Sequence, residues 1–277
     1  MRAAILQMTS SDMPDENLET VRAALAEAAA GGADILLTPE VTNCLSVSRN
    51  HQQSVLHRQA DDPSLAALCK GAGEQGIWVL IGSLALKTGD ADGRFANRSL
   101  LISDTGEIAG WYDKIHMFDV NVTADETYRE SDGYRPGDRA VVAETPLGKF
   151  GLTICYDMRF AYLYRDLAQA GAEIITVPAA FSPVTGAAHW ESLLRARAIE
   201  TGCFIIAPAQ TGSHRASVGK SRQTHGHSLV VAPWGEVLLD AGTAPGLHFV
   251  DIDLAEVTQA RRRVPSLCHD RPYGLVQ

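Results

Sequence analysis

Few of the features that announce a function at first reading are present in this 277-residue sequence. Aromatic residues make up only 6% of it, against 45% hydrophobic residues in all. With Ala, Val, Leu and Gly plentiful, that composition suits tightly layered α/β structure better than an all-β sandwich. No basic run is longer than Arg261-Arg262-Arg263, and the formal net charge is −9, which argues against nucleic acid as a partner. No apolar stretch approaches membrane-spanning length. Met1-Arg2 runs directly into Ala3–Met8, too short for the apolar part of a signal peptide, and reads as a first strand. The five cysteines (Cys44, Cys69, Cys155, Cys203, Cys268) are odd in number and scattered, with no Cys-x-x-Cys pair. They suggest neither a disulfide framework nor a zinc site, and point to a reducing cytoplasm. His225-Gly-His227 is a His-x-His pair without a third ligand, weak ground for a metal site.

What is present is a regular alternation of short apolar runs and amphipathic stretches. Residues 2–8, 33–38, 77–83, 149–154, 173–178 and 203–209 read as buried strands. Helical periodicity covers 15–30, a segment near 63–75, the stretch after Cys155 up to Gly171, and 185–202. Hairpins are expected around Asp104-Thr105-Gly106, Pro146-Leu147-Gly148 and Pro233-Trp234-Gly235. Residues 41–62 and 210–224 read as irregular and polar, and 119–138 as a long loop of the kind that walls or covers a site. Two passages echo each other across the chain. Gly32–Pro39 resembles Gly171–Pro178, and Ser99–Glu107 resembles Ser228–Glu236. The expected fold is therefore a four-layer αββα sandwich with a pseudo-twofold internal repeat, in one domain over residues 1–277.

Three residues stand where such folds place their chemistry. Glu40, Lys114 and Cys155 each follow a predicted buried strand and each open a loop or helix. A thiolate attacks a carbonyl-like carbon, a carboxylate takes up the thiol proton and later activates water, and an ammonium stabilises the developing oxyanion. A helix starting at Cys155 is expected to favour its thiolate form.

The blocks around these residues resemble the nitrilase superfamily of carbon–nitrogen hydrolases. They are Thr38-Pro39-Glu40, Tyr112–Asp119, Gly151–Phe160, Ala188–Glu200 and Gly226–Gly235, in that order along the chain. Cys155-Tyr-Asp-Met-Arg-Phe160 is similar to the Nit branch, which holds ω-amidases and deaminated-glutathione amidases. The resemblance implies Cys155 as a nucleophile forming a thioester, Glu40 as general base and Lys114 as oxyanion stabiliser, joined by the Tyr156 N–H. It implies a second glutamate in the 119–138 loop, assigned to Glu130 with Glu126 as rival. Substrate contacts are expected from Tyr156, Arg159, Phe181 and Thr185, with Arg159 meeting a substrate carboxylate or forming a structural salt bridge. His189 and His227 are expected to be structural. The sequence departs from the family at Ala161-Tyr162, where Pro-Glu is common, which bears on substrate preference. The implied activity is hydrolysis of a small carboxylate-bearing amide, with carbamoyl-amine hydrolysis or nitrile hydrolysis as the alternative. No metal or cofactor is called for, and association into a homodimer or larger assembly is expected by analogy.

Overall fold

The computed structural model describes residues 1–123 and 126–276. The first half runs β1 (Arg2–Gln7), α1 (Pro14–Ala30), β2 (Ile35–Leu37), α2 (Arg49–Val55), α3 (Pro63–Gln75), β3 (Trp78–Lys87), β4 (Phe95–Ile102) and β5 (Ile108–Asp113). A small hairpin, β6 (Asp119–Asn121) and β7 (Thr127–Arg129), follows. The second half runs β8 (Val141–Thr145), β9 (Gly148–Leu152), α4 (Ala161–Gln169), β10 (Ile174–Thr176), α5 (Pro183–Thr201), β11 (Phe204–Ala207), β12 (Thr211–His214), β13 (Arg222–His225), β14 (Leu229–Val231) and β15 (Val237–Asp240). β16 (Gly246–Asp251) and α6 (Ala255–Arg263) complete it.

Two six-stranded sheets result, ordered β16-β1-β2-β3-β4-β5 and β8-β9-β10-β11-β14-β15. Their pairings match strand for strand. Each has a parallel core of three strands, one antiparallel strand before it and two after. The echo in the sequence falls on equivalent strands: β2 and β10 carry the first pair of passages, β4 and β14 lie in the second. Because strand side chains alternate between faces, each apolar run supplies two layers at once. Ala4, Leu6, Leu36, Val79 and Ile81 of the first sheet pack on Val21, Leu25, Leu65 and Leu68 of α1 and α3. Ala3, Ile5, Ile35, Leu37 and Leu80 face the second sheet, whose core continues into Leu163, Leu167, Trp190 and Leu194 of α4 and α5. The order of layers is helix, sheet, sheet, helix, as expected. Among the described residues, no helix is long and apolar enough to cross a membrane.

Three stretches differ from expectation. The segment read as irregular before residue 62 contains α2, a seven-residue helix with Gln52 as its one buried residue, so it shows no apolar stripe. Residues 210–224 contain most of a two-stranded ribbon, β12–β13, polar on both faces. Cys155 does not open the long helix. Cys155–Arg159 form a 3₁₀ turn, and α4 starts only at Ala161.

The β2 end is fixed by close backbone approach. Thr38 N–H donates to Leu80 O at 3.0 Å, and Gly82 N–H donates to Thr38 Oγ1 at 3.0 Å. A Cβ on Gly82 would lie 2.0 Å from Thr38 O and 2.5 Å from both Pro39 O and Pro178 Cβ. Backbone carbonyls cannot rotate away as a long side chain would. Gly82→Ala is therefore expected to lower the urea-unfolding free energy by about 2 kcal/mol or more. A loss within the few tenths typical of a neutral site would show that these strand ends separate easily.

Candidate active site

Glu40, Lys114 and Cys155 come from the ends of β2, β5 and β9, and the fold brings all three together. Lys114 Nζ lies 2.8 Å from Glu40 Oε1 and 2.9 Å from both carboxylate oxygens of Glu130. Lys114 is 2% exposed and Glu40 4%. Such a cluster is stable in the interior only when its remaining hydrogen-bonding positions are filled. They are filled here. Asn97 Nδ2 reaches Glu40 Oε1 at 2.9 Å and Glu130 Oε1 at 3.3 Å, the Ala180 N–H donates to Glu40 Oε2 at 2.8 Å, and the Phe118 N–H donates to Glu130 Oε2 at 2.6 Å. Glu126 lies elsewhere, accepting from Tyr128 Oη and Ser182 Oγ. Of the two lid glutamates, Glu130 is the one paired with the lysine.

Cys155 sits at φ +49° and Val41, next to Glu40, at φ +47°. Left-handed backbone at a non-glycine residue costs on the order of 1–3 kcal/mol, more so for a β-branched side chain. The surroundings enforce it. Cys155 N–H donates to Pro178 O at 2.9 Å and Val41 N–H to Ser83 Oγ at 2.7 Å. Two residues beyond the cysteine, the fully buried Asp157 carboxylate accepts from Tyr112 Oη (2.7 Å), the His116 N–H (3.1 Å) and the Ile154 N–H (2.9 Å), and contacts His116 Nδ1 at 2.7 Å. Asp157 thereby ties the cysteine turn to the segment that carries Lys114. Asp157 was not singled out in the sequence, although its place two residues after Cys155 was the available signal.

Burial pushes the Cys155 thiol well above its usual range, and the negative Glu40 carboxylate pushes it further; Lys114 opposes them and loses. The expected helix-favoured thiolate is thus not the resting form. Burial also acts to raise Glu40, but the charge and hydrogen bond of Lys114 prevail and hold it below the ordinary carboxylate range. Lys114 is raised in turn: burial works against its charge, and Glu130 and Glu40 outweigh it. These directions favour a protonated thiol beside an ionised glutamate and an ammonium.

These groups open into a cavity of about 450 Å³, walled by Phe118, Tyr128, Tyr134, Phe181, Ser182 and Arg222 among others. Of the four expected substrate contacts, only Phe181 is in that wall. The Tyr156 ring packs edge-on against Phe118 and Phe160, and Thr185 lies in the first turn of α5, with its hydroxyl directed to Ser182 O. Arg159 contacts His189 Nδ1 at 3.3 Å and stacks over the Tyr156 and Phe181 rings. The aromatic side chains hold its guanidinium outside the cavity wall. His227 is bound to Asp240, and its carbonyl accepts from Trp190 Nε1. Tyr162, which replaces the family's glutamate, meets His116 Nε2, and His116 stacks on Phe160 at 3.5 Å.

Arg222 was not singled out in the sequence. It lies on β13 opposite His214 of β12. His214 is buried, with Nδ1 2.8 Å from Ser10 O and Nε2 2.7 Å from Thr224 Oγ1. Those partners require a proton on Nδ1 and allow Nε2 to accept from the hydroxyl, as in neutral imidazole. Burial, with the Arg222 charge adding to it, pushes His214 down to about 4 from an ordinary value of 6.5. The native state therefore binds fewer protons than the unfolded chain between those values. The contribution to stability is complete above pH 6.5 and is lost as pH falls through the window. Between about pH 7 and about pH 4.5, wild type is expected to lose about 2 kcal/mol more unfolding free energy than His214→Gln. Equal losses in urea titrations of the two proteins would refute this.

A family model described as carbon-nitrogen hydrolase matches residues 2–262. Deaminated glutathione amidase of Yersinia enterocolitica is 38% identical over 269 residues, covering 97% of this chain and 92% of that one. Deaminated glutathione amidase of Mus musculus is 40% identical over 277 residues, covering 98% and 84%. The crystal structure of the C. elegans NitFhit protein superposes with a TM-score of 0.88 at 32% identity, covering 98% of this chain and 65% of the worm chain. With the strand-end cluster of carboxylates, lysine and cysteine in place, the protein belongs to the carbon-nitrogen hydrolase family.

Proposed function

We propose that this enzyme is a thiol amidase that cleaves the C–N bond of a small carboxylate-bearing amide, of the deaminated-glutathione or ω-amide type, with Glu40, Lys114, Cys155 and Glu130 as its machinery. The observation that carries the reading is the Glu40 carboxylate. It is kept ionised by Lys114, oriented by the Ala180 N–H, and set beside the Cys155 thiol. The named relatives favour the deaminated-glutathione side of the branch.

Each group has a task in the sequence of steps. Glu40 takes the proton from Cys155 as Sγ attacks the amide carbon, so a thiolate need not accumulate in the buried site. The carbonyl electrons move onto oxygen, where Lys114 Nζ and the Tyr156 N–H stabilise the charge. Collapse of the adduct breaks the C–N bond; the proton on Glu40 goes to the departing amine, leaving a thioester on Cys155. A water then loses a proton to Glu40 and adds to the thioester. The second collapse releases the carboxylic acid, and Cys155 recovers its proton from Glu40. Glu130 keeps Lys114 aimed and charged. The five unpaired cysteines accord with a reducing cytoplasm. Exposed apolar side chains on the outer helices, Tyr162, Val184 and Ile199, accord with a homodimer or larger assembly.

Purified enzyme is expected to hydrolyse deaminated glutathione, with α-ketoglutaramate as the comparison substrate. Cys155→Ala should abolish turnover, and Glu40→Gln should reduce kcat by about 10²–10⁴-fold. Amide hydrolysis by Cys155→Ala at the wild-type rate would overturn the reading. Turnover of carbamoyl compounds or nitriles, with both amides inert, would move the enzyme to another branch.

A further inference from the structure

We propose that Arg222 is the residue that selects for the substrate's carboxylate, binding it on the acyl side of the scissile bond, and that Arg159 does not take this part. The inference rests on the amidase reading above and specifies its substrate pocket.

Three arginines line the cavity: Arg49, Arg129 and Arg222. Arg49 is spent on the main-chain carbonyls of Asp132 and Asp92. Arg129 is spent on the carbonyls of Val120 and Tyr128 and on Asn121 Oδ1. Arg222 is different. Its Nη2 donates to Ala180 O at 2.6 Å, its other contacts are the ring and hydroxyl of Tyr128, and its buried Nε has no hydrogen-bond partner. Among the described residues, no carboxylate lies within ion-pair distance of it. Arg222 lines the cavity, and a guanidinium there without a carboxylate partner can take one from a ligand. The planar fork of Arg is suited to a carboxylate.

The position also sets the length of the ligand. Ala180 receives Arg222 on its carbonyl and gives its N–H to Glu40. One residue and two hydrogen bonds thus separate the guanidinium from the general base, a span of at most about 9 Å. An amide carbon placed at Cys155 leaves room for a short acyl chain ending at Arg222. This favours ω-amides of four- or five-carbon dicarboxylic acids over neutral amides. Arg159, over the Phe181 ring, is not among the residues that line the cavity.

The test compares glutaramate with pentanamide, in which a methyl group replaces the carboxylate. The ratio of their kcat/KM values is expected to fall at least about tenfold in Arg222→Gln, to recover in part in Arg222→Lys, and to change by no more than about twofold in Arg159→Gln. Calorimetry of glutarate binding to Cys155→Ala reads the same contact without turnover. The added Arg222→Gln change should weaken binding at least about tenfold. An equal fall in kcat/KM for both amides would make Arg222 a support for Ala180 and overturn the proposal, as would loss of selectivity in Arg159→Gln alone. Should wild type hydrolyse neither amide, the amidase reading is what fails; glutarate binding then decides on Arg222, and unchanged binding in its variant overturns it.

Discussion

One buried ammonium sets the terms for the rest of the site. Lys114 is held between Glu40 and Glu130, and the three come from separate segments: the end of β2, the end of β5 and the turn after β7. Removing the lysine would leave two carboxylates facing each other in the interior, a situation worth several kcal/mol of penalty. Removing either glutamate would leave the cation half-paired. The cluster is therefore a structural tie between the first sheet and the loop over the site as well as a chemical device. Asn97, donating to both carboxylates, completes it.

The internal repeat places this device on one side of the pseudo-twofold and its counterpart on the other. β2 leads into Thr38-Pro39-Glu40; its equivalent β10 leads into Val177-Pro178-Ala179-Ala180. The first half supplies a carboxylate, and the second supplies backbone. Pro178 O takes the Cys155 N–H, and the Ala180 N–H takes Glu40. Gln210 Nε2 reaches across to Glu40 O at 3.0 Å, and Ser10 N–H to Gln210 Oε1 at 3.0 Å, so the two halves hold each other's strand ends. Two equivalent strand ends, free to diverge in side chain, give a cysteine turn and a glutamate held at fixed separation.

That division explains what could be read beforehand. The parallel strands are buried on both faces, so they appear as unbroken apolar runs such as Ile35–Leu37 and Ile174–Thr176. A polar residue soon after such a run is conspicuous, and Glu40 and Cys155 were visible for that reason; Lys114 follows the half-exposed edge strand β5. Glu130 has no such context: it follows a three-residue strand in a polar stretch, and only the family resemblance ranked it above Glu126. Arg222 was hidden further. Its ribbon is built of Thr, Gly, Ser, His, Arg and Gln, so β12 and β13 carry no apolar alternation, and His214, Thr224 and Arg222 read as loop. Arg159, placed four residues after the cysteine, looked suited to a carboxylate, but adjacency in sequence did not anticipate the 3₁₀ turn that puts it behind Phe181.

The same turn changes the electrostatics of Cys155. A helix N-terminus at Cys155 would have favoured a standing thiolate. With α4 beginning at Ala161, that support is missing, and Glu40 lies beside the sulfur instead. A resting thiolate would place a second anion against the buried Glu40 carboxylate, a cost that a protonated thiol avoids. Arg222 also contributes to holding Glu40 in its ionised form. A substrate carboxylate paired with Arg222 would cancel that pull, and Glu40 would become the stronger base at the moment the amide is in place. On the proposed assignment, the contact that selects the substrate also raises the proton affinity of the group that begins the reaction.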